Sequence, residues 1–259
     1  MGHTRLGYLP KTKSWTSVIG LLEEGARTAD LAAATLKASE RKLKEASDDL
    51  GLQYSYWLLT QLPQAARERD FVGQLRELDF EISDNPGFFD FLAAFSRAVD
   101  SRIDRERAHS DVGEIAQSAA AETLTALCGQ EIGSLFGTET SELREALKRF
   151  SNPKYFRSLS TEFFSRFTRR YLTYFLSMEL SNHVGGGRRF ADINEHAEFN
   201  REFDLHIRQT AKIVEKFSED WYSKNIRAGE ISLQEASKFI YVALQKIRRD
   251  LKRGGATDG

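Results

Sequence analysis

The chain is poor in everything that would commit it to life outside the cell or in a membrane. Cys128 is the one cysteine in 259 residues. It cannot form an internal disulfide, and a lone thiol in a chain of this size fits a reducing compartment. No window holds the roughly 18 to 20 apolar residues that a bilayer-crossing helix needs. The opening MGHTRLGYLPKTKS lacks the apolar centre of a signal peptide. Leu6 stands where a myristoylation signal following Gly2 carries Ser or Thr. Together these absences set the expectation of a cytoplasmic protein with no membrane contact.

Strand signals are equally scarce. Alternating apolar and polar runs joined by Asn-Gly or Asp-Gly turns are missing. Four prolines, Pro10, Pro63, Pro86 and Pro153, punctuate long stretches whose apolar residues recur at intervals of three and four. The fold class expected is therefore all-α, a multi-helix bundle. Helices are expected over Ser14 to Glu24, ended by a break at Gly25, then Thr28 to Ala46, Asp49 to Leu62 with a stop at Pro63, and Ala65 to Phe80. A start at Asp84-Asn85-Pro86-Gly87 opens Phe88 to Arg107. Ser110 or Asp111 opens an alanine-rich helix to Leu127, with Gly129 as a left-handed cap. The aromatic-rich stretch Pro153 to Val184, with one break near Ser160, reads as a central helix buried on several faces. A polar helix over Ile193 to Lys224 follows. A capping box, Ser232 with Glu235, then opens the last helix, which reaches Lys252.

The loop from Gly133 to Thr140 is the candidate boundary between two helical subdomains, residues 1–135 and 136–259. Charge divides along this line. The net charge is −1, which gives no overall pull toward nucleic acid or an anionic membrane. Residues 1 to 129 nevertheless carry 15 Lys plus Arg against 20 Asp plus Glu, leaving 22 against 18 for the remainder. Between residues 144 and 189 ten basic residues face three acidic ones. Arg149, Lys154, Arg157, Arg166, Arg169, Arg170, Arg188 and Arg189 are the candidate nucleic-acid ligands there. Arginine suits phosphate, and a basic face beside exposed aromatics suits single-stranded RNA or DNA. Alternatively, these cations pair with the acidic N-terminal half inside the molecule.

Cofactor and metal chemistry find little support. Gly185-Gly186-Gly187-Arg188-Arg189 lacks the Lys-Ser/Thr that a phosphate-binding loop carries into a helix, so it reads as a hinge. Glu195, Glu198, Glu202, His206 and Gln209 share one helical stripe, but no Glu-x-x-His or His-Glu-x-x-His occurs. The stripe reads as a solvated face, and neither a cofactor nor a metal is expected. Cys128, in ALCGQ at a helix end, reads as a small core residue. There is no Gly-x-Ser-x-Gly elbow.

Helical ribonucleases of the HEPN superfamily carry Arg and His separated by four to six residues, and REFDLH supplies Arg201 and His206 at that spacing. In such a site the histidine acts as general acid or base while the arginine stabilises charge on the scissile phosphate. With five histidines in the chain, chance alone supplies about 1.3 such pairs, so the motif discriminates weakly.

One block, FNREFDLHIRQTAKIVEKFSEDWYSKN from Phe199 to Asn225, resembles the C-terminal segment of uncharacterised helical proteins encoded in bacterial antiviral defence gene clusters. The resemblance implies an accessory subunit working beside an ATPase, helicase or nuclease, and it transfers no functional residue. The leading expectation is thus a non-enzymatic accessory subunit of a cytoplasmic complex, with a protein partner and a contact to single-stranded nucleic acid. The alternatives are a metal-independent ribonuclease using Arg201 and His206, and a scaffold whose basic segment is neutralised internally.

Overall fold

The computed structural model describes residues 12–132, 139–185 and 187–254. Eleven α-helices and no named strand occur among the described residues, so the all-α class holds. The helices are α1 (Lys13–Glu23), α2 (Thr28–Ala46), α3 (Leu50–Ala65), α4 (Phe71–Glu77), α5 (Phe88–Glu106), α6 (Asp111–Cys128), α7 (Thr140–Arg149), α8 (Pro153–Leu180), α9 (Ile193–Ala211), α10 (Glu215–Ala228) and α11 (Leu233–Gly254). None is long and apolar enough to cross a membrane. Residues 133–138, which carry most of the expected boundary loop, lie outside the described residues, as does the tail 255–259.

Helix α8 is the axis of the molecule and packs against α2, α6, α9 and α10. Its Phe156, Phe163, Phe164, Phe167, Tyr171 and Phe175 are fully buried. Helix α3 is the second buried element and packs against α5, α6, α7 and α11. The two meet at Tyr56, whose ring lies 5.1 Å from Phe164, 5.3 Å from Phe163 and 5.5 Å from the stacked ring of Phe239. The buried apolar residues form one cluster that runs from Trp15 to Leu251.

Several local expectations are corrected. The break near Ser160 is absent, and α8 is continuous. Its buried hydroxyl pairs at 2.8 Å with the Tyr56 hydroxyl, so no competition with the helix backbone disturbs the turn. Helix α3 runs through Pro63 to Ala65. So late in the helix, proline removes one N–H bond, and the end is held by the Arg144 guanidinium donating to the carbonyls of Ala66 (3.0 Å) and Glu68 (2.7 Å). The helix expected over Ala65 to Phe80 shrinks to α4. Asp70 caps it by accepting from the Gly73 amide at 2.8 Å, and Asp79 at φ 66° turns the chain away. Gly129 is right-handed, φ −62°, so α6 ends without a left-handed cap. The long polar helix splits into α9 and α10 at a 3-10 turn, Lys212–Val214, and α7 is a helix beyond those expected.

Candidate functional site

Nine of the ten basic residues between 144 and 189 are engaged within the molecule; Lys154 has no partner among the described residues. Arg144 caps α3, as above. Lys148 pairs with Glu145 at 3.0 Å and Arg157 with Glu219 at 3.2 Å. Arg149 pairs with Glu131 and lies over the Tyr155 ring, 4.3 Å from its centre. Arg188 donates to the Asn182 carbonyl at 2.7 Å.

The densest pairing stitches α6, α8 and α9 together. Arg166 and Arg170, on α8, bond Glu162 and Glu122. Arg169 lies between Glu122 (3.5 Å) and Asp204 (3.4 Å), and Arg208 between Asp204 (3.1 Å) and Glu162 (3.4 Å). Four guanidiniums face three carboxylates, which leaves a net charge of +1. Burial resists ionisation of Glu122, but the Arg170 hydrogen bond and the charges of Arg170, Arg169 and Arg166 outweigh it, so its pKa is lowered. Phe156, Phe163, Phe164, Phe167, Tyr171 and Phe175 of α8 point the other way, into the core, whereas Tyr155 is exposed under Arg149 and the half-buried Tyr174 lines a cleft with Arg169 and Arg170. A single half-buried ring, Tyr174, beside these arginines does not make the succession of stacking platforms that a single strand uses.

Arg189 has a different task. Its guanidinium donates to the carbonyls of Leu21 (3.3 Å), Leu22 (3.4 Å) and Ala26 (2.6 Å), satisfying the end of α1. The rings of Phe190 and Phe199 flank it at 5.3 and 5.1 Å. Burial pushes its pKa down, with the Glu202 charge acting against that. The preceding chain is closed by backbone bonds, from the Gly185 amide to the Phe190 carbonyl (2.7 Å) and from the Phe190 amide to the His183 carbonyl (3.0 Å). The hinge reading of this stretch gives way to a tied turn, with Gly185 and Gly187 at positive φ; Gly186 lies outside the described residues.

Arg189 also lines an open cleft of about 540 Å³ between the α1–α2 turn and α9, together with Glu195, Glu198, Glu202 and His206. The predicted glutamate stripe is thus one exposed wall of a cleft, fastened to the opposite wall by the Thr28 hydroxyl donating to Glu202 at 2.8 Å. His206 is half-buried, its Nε2 is enclosed without a hydrogen-bond partner, and burial lowers its pKa. Arg201 is not among the residues lining the cleft. Five residues along an α-helix turn roughly 140° away, and Arg201 projects outward, 72% exposed, beside Glu198 at 3.7 Å. Within one chain the two side chains do not share a pocket. Among the described residues no three His, Cys, Asp or Glu side chains are grouped to hold a metal ion.

Glu122, Glu131, Asp204 and Glu219, which compensate the arginines, are absent from any reading of residues 144–189 alone. The signal that finds three of them is an acidic position on α6, α9 and α10, helices packed against α8; Glu131, in the turn after α6, pairs instead with Arg149 of α7. The resembling block, residues 199–225, bends through the 3-10 turn, and its Phe199, Phe203, Ile207, Val214 and Tyr222 are core residues. Comparison with family models, curated proteins and solved structures finds no match for this chain.

Proposed function

We propose that the chain is a non-enzymatic helical accessory subunit that works through a protein partner rather than through bound nucleic acid. The observation that carries this reading is the engagement of the basic segment. Arginines that already share carboxylates or cap helix ends release little when they meet a phosphate, because each new contact must displace an existing one. In this reading the partner complex is bacterial and cytoplasmic and serves antiviral defence, a role supported by the resemblance of residues 199–225 alone.

The test is fluorescence anisotropy with end-labelled single-stranded RNA, comparing wild type with Lys154→Glu and Arg157→Glu at low and moderate salt. The expected result is that neither reversal changes the RNA affinity. Micromolar or tighter binding that either reversal weakens tenfold sinks the proposal in favour of a nucleic-acid subunit. Cleavage of the same RNA in EDTA that both Arg201→Ala and His206→Ala abolish sinks it in favour of the ribonuclease.

A further inference from the structure

Positive charge that is not absorbed internally collects on another face, where α2 and α11 lie side by side. The helices run antiparallel, since Lys252 reaches Glu40 while Tyr241, eleven residues earlier, lies beside Ser47. Lys37, Arg41 and Lys44 form one stripe of α2 at helical spacing; Tyr241, Gln245, Arg248, Arg249 and Lys252 form the facing stripe of α11. Glu40 sits between them, 2.8 Å from Lys252 Nζ, 3.2 Å from Arg248 Nη1 and 4.0 Å from Lys44 Nζ. One carboxylate shared by three cations leaves them under-compensated. Arg41 is 87% exposed and reaches Glu45 at 3.6 Å. Lys37 and Arg249 are exposed, with no ion-pair partner among the described residues. Six cations thus face Glu40, Glu45 and, at the rim, Asp48, a net of +3.

At the end of this basic band, Tyr241 and Val242 stand 49% and 40% exposed. Beside Tyr241 is a dimple of only about 10 Å³, floored by Leu43 and Leu244 and walled by Lys44 and Arg248, too small to admit a side chain. An exposed tyrosine bordered by arginines is a combination that protein-binding surfaces favour.

We propose that this α2–α11 face docks an acidic segment of a protein partner, whose carboxylates meet Lys37, Lys44, Arg248 and Arg249 and whose one apolar side chain lies against the exposed ring of Tyr241. This rests on the reading of the chain as a protein-binding subunit and names its surface. A nucleic-acid strand fits less well. It gains from successive stacking rings, and here Tyr241 is the single half-exposed ring. The exposed Val242 offers apolar contact that a sugar-phosphate strand does not use.

The experiment titrates the full chain into a fluorescein-labelled short peptide of glutamates with Leu and Phe one helical turn apart. The same peptide with glutamine for glutamate, and a labelled oligouridine, run alongside. The variants are Lys37→Glu/Arg249→Glu, which disturbs no ion pair within the fold, Tyr241→Ala, and Lys224→Glu on α10 as a remote control, each checked by circular dichroism. The acidic peptide is expected to bind, to weaken at least tenfold with the double reversal, to weaken severalfold with Tyr241→Ala and with added salt, and to ignore Lys224→Glu. Binding of neither probe, or peptide binding indifferent to the double reversal and to Tyr241→Ala, overturns this surface while leaving the protein-partner reading in place. Oligouridine binding lost in the double reversal, without peptide binding, overturns both.

Discussion

Replacing Gly51 by alanine should destabilise the protein even though alanine is the better helix former. Gly51 lies in the first turn of α3, where that helix crosses the first turn of α6. A Cβ there falls 2.5 Å from Gly113 Cα and 3.1 Å from Ile103 Cδ1. Ordinary carbon contacts lie at about 3.5–4.0 Å, so the two helices must part by about 1 Å. Overpacking of this kind costs about 1–3 kcal/mol. Parting also loosens the joint caps: Asp49 accepts from the Leu52 amide at 3.0 Å and from the Ser110 hydroxyl, while Ser110 Oγ accepts from the Gly113 amide at 2.9 Å. A lost cap costs about 1 kcal/mol, and the helix preference of alanine returns less than about 1 kcal/mol in a first turn. A net loss of about 2 kcal/mol lowers Tm by about 4–8 °C in a chain of this length. At Gly113 the new atom meets Ser110 Oγ at 3.1 Å and Gly51 Cα at 3.3 Å, so Gly113→Ala should cost about half as much. Gly20, inside α1, has nothing within 4 Å of a new Cβ, so Gly20→Ala should stabilise by about 0.5–1 kcal/mol. Thermal melts followed by circular dichroism rank the three. A Gly51→Ala protein that melts at or above wild type refutes the close-crossing argument.

Two further outcomes follow from burial. Cys128 is fully buried, and its thiol pKa is pushed up to about 12 by burial, so it should be silent to Ellman's reagent in the native protein and release one equivalent in guanidinium; rapid native reaction contradicts its placement. His206 has its pKa lowered from 6.5 by burial. The unfolded chain therefore binds the proton more readily, and the stability the neutral imidazole contributes is present above pH 6.5 and lost as pH falls through the lowered value. Tm should drop between pH 7.5 and pH 5.5, and less so in His206→Gln; an identical drop in both proteins removes His206 from the account.

Helix ends marked by capping residues or sharp turn residues were the most legible parts of this chain. Asp111 as the start of α6, the Gly25 break between α1 and α2, and the Ser232–Glu235 opening of α11 all stand close to where local chemistry puts them, because an N-cap or a positive φ acts within a few residues. Pro63 and Ser160 misled for a shared reason. Each disfavours helix locally, and each is overridden by a contact from distant sequence, Arg144 at the end of α3 and Tyr56 against Ser160. Secondary-structure signals carried in the backbone are short-ranged, whereas the forces that overrule them are tertiary.

Charge shows the same separation more sharply. The segment 144–189 stands out along the chain because its cations are consecutive on α7 and α8. On α8 and in the turn that follows it, consecutive residues point around the whole helix or into the turn, toward Glu122, Asp204, Glu219 and the carbonyl end of α1. The α2–α11 face is nearly invisible in a running count, since Lys37, Arg41 and Lys44 are interleaved with Glu40 and Glu45 and lie some two hundred residues from Arg248, Arg249 and Lys252. Antiparallel packing brings the two cationic stripes together, and helical periodicity sorts them from the acids that sit beside them in sequence. An electrostatic surface in an all-helical protein is therefore a property of facing stripes rather than of segments. On this chain that places the more accessible positive charge beside Tyr241 and Val242, the surface proposed above for an acidic partner.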